Sequence, residues 1–250
     1  MRHYIKFELK NTFGYSIGMI VGGVLPLLLA IGGYHASKDV EQNKIIATTI
    51  FSMCLPMIPL GLVMLPFTIA FAKDIEGGIA TRFSLFGYTK LQQMFAKFIS
   101  ILFLVSGICL LYFLVLRIII PLPVPSVTAF VLMVCGILIL TTSFYFLAFT
   151  IAWFFKEFNV VQGIAMLVYF GIAMITGTIG DFEFTGIMKK ISDFIPFNFF
   201  RMELATHWTT TNFDMSDVLL RFIIFLVFTI ILFCITNILT GSISNVKKKD

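Results

Sequence analysis

The chain has 250 residues, 59% of them apolar and only 12% charged, with a net charge of +5 and a mean hydropathy of +1.00. A soluble globular domain is about 45–50% apolar and about 25% charged, so the composition excludes one and predicts an integral membrane protein. In such a chain surplus Lys and Arg set orientation, and no nucleic-acid partner is expected.

In chain order, residues 4–15 (YIKFELKNTFGY) read as an interfacial helix, with Tyr4, Phe7 and Leu9 toward lipid and Lys6 and Lys10 toward headgroups. Six windows then reach the roughly 20 apolar residues that a helix needs to cross a bilayer: 16–34, 46–71, 98–120, 126–152, 160–178 and 220–240. The first follows charged residues, as a signal peptide does. It is long for one and lacks a small-residue cleavage site, so it is read as an uncleaved span. Gly14, Gly18 and Gly22 form a small-residue ridge along it, suited to close helix packing. The second span carries Pro56, Pro59 and Pro66, each of which removes a backbone donor. At about 100° per residue, Met53, Met57, Leu60 and Met64 share one of its faces.

Residues 72–97 form a polar island between spans two and three, with apolar residues at Ile75, Ile79, Phe83 and Phe86. Residues 179–219, between spans five and six, carry a second amphipathic stretch at Ile187, Ile191, Phe194 and Ile195. The layout is similar to two inverted three-helix halves, as in many transporters. Trp153 and Trp208 fall at span boundaries, where interfacial aromatics gather.

Six spans place both termini on one side. That side holds eleven basic residues: Arg2, Lys6, Lys10, Lys73, Arg82, Lys90, Lys97, Lys156, Lys247, Lys248 and Lys249. The opposite segments hold five (Lys38, Lys44, Lys189, Lys190, Arg201) and eight acids, among them Asp39, Glu41, Asp181, Glu183 and Asp214. The positive-inside rule therefore puts both termini and the island in the cytoplasm, in a multi-pass protein of the cell membrane.

No Asp or Glu lies in any span, and His3, His35 and His207 lie outside them. Neither an intramembrane enzyme nor a proton relay is expected from such spans. The four cysteines, Cys54, Cys109, Cys135 and Cys234, sit in apolar runs and read as buried hydrophobes, with no metal site. No phosphate-binding loop occurs, nor any Gly-Lys pair. If ATP drives transport, another polypeptide hydrolyses it; this chain has no catalytic residues and binds no cofactor itself.

A cytoplasmic amphipathic helix can lie on lipid or dock in a protein groove. Acid and glycine at Asp74, Glu76, Gly77 and Gly78 favour a bent start and a protein contact. With six spans, a basic amphipathic N-terminus, E-G-G-I-A-T-R-F and then Lys90 and Lys97, the chain resembles the ABC-2 type permeases, the membrane subunits of ATP-binding-cassette exporters. The resemblance implies an all-α fold of six transmembrane helices in one domain, with a cytoplasmic coupling helix and a re-entrant helical hairpin in the outer leaflet. Glu76, Gly77 or Gly78, and Thr81 match the family's coupling pattern, and Lys97 its basic residue at span three. Coupling would draw on Asp74, Glu76, Gly77, Gly78, Thr81, Arg82 and Phe83. The partners implied are an ATPase subunit, which carries ATP and Mg, and a second permease protomer, identical or not. Met53, Met57, Leu60 and Met64 would line the path. Residues 187–208, broken at Pro196, would form the hairpin, with Phe194, Pro196, Phe197 and Phe200 as an apolar exit gate. Lys189, Lys190, Asp193 and Arg201 would stay at headgroup level. The expected cargo is an amphipathic peptide or a hydrophobic drug. A self-contained ion-coupled carrier and a non-transporting immunity or scaffold protein are the alternatives.

Overall fold

The computed structural model describes residues 2–14, 16–37, 43–178, 185–210 and 215–246. Among them every regular element is helical: α1 (Arg2–Phe13), α2 (residues 16–36), α3 (Lys44–Glu76), α4 (Ile79–Leu85), α5 (Lys90–Ile119), α6 (Val127–Phe155), α7 (Phe158–Ile175), α8 (Ile187–Phe194), α9 (residues 199–206) and α10 (Met215–Val246). The orientation signals at Lys38, Asp39, Glu41, Asp181, Glu183, Asp214, Lys247, Lys248 and Lys249 lie outside the described residues.

Five helices are long and apolar enough to cross a bilayer, as in a multi-pass membrane protein: α3, α5, α6, α7 and the Ser216–Thr240 part of α10. The apolar part of α2, Ile20–Ala36, is shorter than these. α3, α5, α6 and α10 outgrow their expected windows because hydropathy marks only the greasy portion, whereas backbone hydrogen bonding carries a helix on to its cap; α7 is shifted toward its N-terminus and ends at Ile175. Thus α5 begins at Lys90, behind a capping box in which the Thr89 hydroxyl accepts from Gln92 N and the Gln92 side chain accepts from Thr89 N. Likewise α6 begins behind Ser126, whose hydroxyl accepts from Ala129 N.

α3 is the central pillar and is buried along most of its length. Its prolines set its shape. The helix breaks into a turn at Leu55–Pro56 and widens into a π turn over Val63–Phe67, around Pro66. There the Thr68 hydroxyl donates to the Val63 carbonyl at 3.0 Å, satisfying an acceptor in the widened turn. Pro59 lies in the first turn after the break, where an absent N–H costs little.

The glycine ridge packs within one protomer. α2 carries a π turn of its own, Ile20–Val24, and crosses α3 through two glycines. A Cβ on Gly61 would sit 2.8 Å from Gly22 Cα; one on Gly22 would strike Leu62, and one on Gly18 would strike Pro66. Gly14 meets only its own helix backbone. Met57, Leu60 and Met64 are fully buried in the core around α3, and Met53 is half-buried.

At the far end from α1, Trp208 departs from the expectation of an interfacial aromatic. It is 1% exposed. Its indole N–H donates to Pro123 O at 2.8 Å, its carbonyl accepts from Ser126 N at 2.8 Å, and its ring packs edge-on against Phe51. One buried Trp thus ties the proline-rich link before α6 to the chain after α9. Pro196, Phe197, Phe199 and Phe200 turn into the core: Phe197 meets Phe144, and Phe199 and Phe200 meet Phe222 on α10. Phe194 stays at the edge against Phe225 and Phe228. Lys189, Lys190 and Asp193 are exposed, whereas Arg201 donates to Thr176 O at the C-terminal end of α7, a favourable place for a cation.

Gly22→Leu and Gly61→Leu should each overpack the α2–α3 crossing at a cost of about 1–3 kcal/mol. Gly32→Leu, with nothing within 4 Å of its added Cβ, should leave stability unchanged. Thermal midpoints in detergent, read by size-exclusion fluorescence, check this.

Candidate functional site

The polar island folds into a short helix fixed to its neighbours on one face and open on the other. Gly78 adopts φ +65°, a left-handed backbone, and turns the chain from α3 into α4; Gly77, at φ −74°, is ordinary. Of the two adjacent glycines, Gly78 is therefore the one whose conformation calls for glycine. α4 ends in a Schellman motif. Tyr88 N donates to Phe83 O and Gly87 N to Ser84 O, with Gly87 at φ +86° and the Phe83 and Tyr88 rings in contact across the turn. The buried Gln93 amide then donates to both Ala80 O and Tyr88 O, each at 3.1 Å, so one side chain of α5 holds both α4 and its exit turn.

Phe83 points inward. Its ring lies 4.9 Å from that of Tyr4 and 5.6 Å from that of Phe7, centroid to centroid. Tyr4 is buried there and also stacks on Tyr88, which corrects the expectation that it faces lipid. Phe7 is half exposed and Leu9 partly buried. Burial, together with a hydrogen bond to the Glu8 carboxylate, holds the Tyr4 phenol well above its usual pKa.

Beneath this aromatic layer, Lys97 Nζ lies 2.7 Å from Asp74 Oδ2 and 3.2 Å from Glu8 Oε2, and all three side chains are almost wholly buried. The triad joins α1, α3 and α5. Glu76, two residues after Asp74, reaches a fourth element: its carboxylate accepts from Phe158 N at 3.1 Å. It thereby satisfies a free donor at the start of α7, where a negative charge is favoured.

Asp74, Glu76 and Phe83 thus make contacts inside the chain. Thr81 and Arg82 face outward, with Leu85 (84% exposed) and Phe86 (78% exposed) beside them. Sequence reading passed over Glu8, Gln93 and Leu85 as site residues. The one available signal was an apolar Leu85–Phe86 pair inside an otherwise polar segment.

Behind α4 lies a cavity of about 620 Å³, bounded by α1, α3, α4, α5, α6 and α10. None of Met53, Met57, Leu60 and Met64 lines it. Among the described residues no group of three or more His, Cys, Asp or Glu side chains is placed to hold a metal ion.

No protein-family model matches the chain, and no curated protein matches it.

Removing Lys97 alone would strand two buried carboxylates. Lys97→Met should destabilise by about 3–5 kcal/mol, whereas Lys97→Met combined with Glu8→Gln and Asp74→Asn should recover most of the loss. Thermal unfolding of the single and triple variants measures the difference.

Proposed function

We propose that the chain is the membrane-spanning subunit of an ATP-driven exporter of the ABC-2 type, working as a dimer with a separate ATPase that docks on α4. In this reading α2 is the first of six spans, both termini and α4 are cytoplasmic, and residues 187–208 form the outer-leaflet hairpin. The carrying observation is the two-faced character of α4. Its outer face presents Thr81, Arg82, Leu85 and Phe86 to solvent. Its inner face is bound to α1 through Phe83 and to α5 through Gln93, while the chain leading into it is bound to α5 through Asp74 and to α7 through Glu76. An exposed apolar pair at the wet end of a membrane protein is suited to a protein groove. The attachments behind it would pass a displacement of α4 to three further helices at once.

The contact residues differ from the sequence expectation. Phe83 and Glu76 brace α4 from within, so the docking face is Thr81, Arg82, Leu85 and Phe86. Cargo would be amphipathic peptides or hydrophobic drugs, for which spans poor in charge are suited and a small ion is not.

Leu85→Asp combined with Phe86→Asp should leave expression and thermal stability at wild-type values, because both side chains are exposed. The same variant should lose co-purification of the ATPase in mild detergent and cargo-stimulated ATP hydrolysis. Wild-type levels of both would remove α4 as the docking helix. For orientation, Lys189→Cys should react with an impermeant thiol reagent on intact cells and Lys90→Cys should not; the reverse pattern overturns the topology.

A further inference from the structure

The cavity behind α4 has a chemistry that α4's contacts do not use. One wall is aromatic: Phe71 and Phe149 pack with centroids 4.0 Å apart, and Phe149 continues to Trp153 and Phe233. At about 620 Å³ the cavity falls within the roughly 300–1,000 Å³ of ordinary ligand sites. Its charged groups divide in two. Glu8 and Asp74 are both committed to Lys97. Lys90 and Lys156, which also line it, have no carboxylate at ion-pair distance among the described residues. Lys90 Nζ lies 5.5 Å from the centroid of the Trp153 ring.

Lys156 supplies a second, independent observation. It caps α6 with φ +61°, the left-handed position that helix ends normally give to glycine. A non-glycine residue there is strained by about 1–2 kcal/mol, and such strain gathers at ligand sites. Here it accompanies a lysine that lines the cavity, three residues along the chain from Trp153.

We propose that this cavity binds an anionic phospholipid, its acyl chain against the Phe71–Phe149–Phe233 wall and its phosphate held between Lys90 and Lys156. The triad, one negative charge in excess, keeps the anionic head away from the α1 side. The aromatic wall excludes a free inorganic anion as the natural occupant, since it offers an ion no partner and an acyl chain a large apolar face. The site lies within one protomer and stands whether or not an ATPase docks on α4.

The full-length protein in phosphatidylcholine nanodiscs tests this, with an increasing fraction of acyl-brominated phosphatidylglycerol quenching Trp153 fluorescence. Brominated phosphatidylglycerol should quench more than brominated phosphatidylcholine at equal mole fraction, and the excess should vanish in Trp153→Phe. Lys90→Gln with Lys156→Gln should raise the half-quenching fraction roughly thirtyfold, given about 1 kcal/mol of attraction per lysine to an anionic surface. Lys6→Gln with Lys10→Gln, on the exposed face of α1, should leave it unchanged. Equal quenching by the two lipids in the wild-type protein overturns the proposal. So does an equal loss in the Lys6 and Lys10 variant, which would mean general surface charge. If the Lys90 and Lys156 variant misfolds, the wild-type comparison of the two lipids decides alone.

Discussion

Lys97, held between Glu8 and Asp74, is the contact on which the geometry of this end of the molecule depends. Removing three charges from water is costly, and their mutual attraction offsets the cost only where geometry is tight and the remaining lone pairs are satisfied. The first condition is met: one lysine serves two carboxylates, at 2.7 and 3.2 Å. An apolar trio of the same volume would bury as well, but it would hold three helices to no particular register. Charges separated by 23 and 89 positions in sequence are satisfied in one arrangement of α1, α3 and α5 only. With that arrangement fixed, Tyr4 has a fixed place, Phe83 has a ring to pack on, and α4 has its inner face chosen for it.

The opposite end is held differently. Phe197, Phe199, Phe200 and Trp208 fill the space between α3, α6 and α10, with hydrogen bonds from the Trp208 indole and backbone at the margin. Apolar packing is roughly proportional to area and has little directional preference. It tolerates small slides that a buried ion triad does not. One end of the bundle is therefore locked by charge and the other packed by area. α3 runs between them with a break at Pro56 and a widened turn at Pro66.

How much of this was legible depends on whether the signal was local. The five long apolar helices are local signals that hydropathy finds; the capping box at Thr89–Gln92 and the turn at Gly87 are local too, but hydropathy windows pass over them. The inner face of α4 is not local. A helix of seven residues with apolar side chains at Ile79, Phe83 and Leu85, and Phe86 at its cap, offers two apolar faces, and its periodicity cannot rank them. The choice is made by Tyr4, some eighty positions away, whose ring packs on Phe83 and Tyr88. The methionine stripe is ambiguous for a related reason: a helix apolar all round carries no pattern to say which side meets a path and which meets the core. Trp208 sat at a span boundary, where an aromatic belt is the statistical expectation. A free carbonyl on Pro123 gave its indole a partner inside the protein instead.

These contrasts bear on how a push on α4 would be received by the rest of the chain. A force applied at Leu85 and Phe86 meets no soft joint behind it: Gln93, the Phe83–Tyr4 contact and the triad make α1, α4 and the start of α5 one body. Glu76 extends that body to the start of α7 by a single hydrogen bond to an exposed helix end. Beyond that bond α7 is packed on α3 and α6 through the buried Val161, Ala165, Tyr169 and Ala173, so α7 moves with α3. The break at Pro56 and the widened turn at Pro66 provide places in α3 where it can flex without stretching a regular hydrogen-bond ladder. A stiff α1–α4–α5 corner beside an α3 whose hydrogen-bond ladder is interrupted at Pro56 and Pro66 is the arrangement in which bending would fall on α3 rather than on the corner.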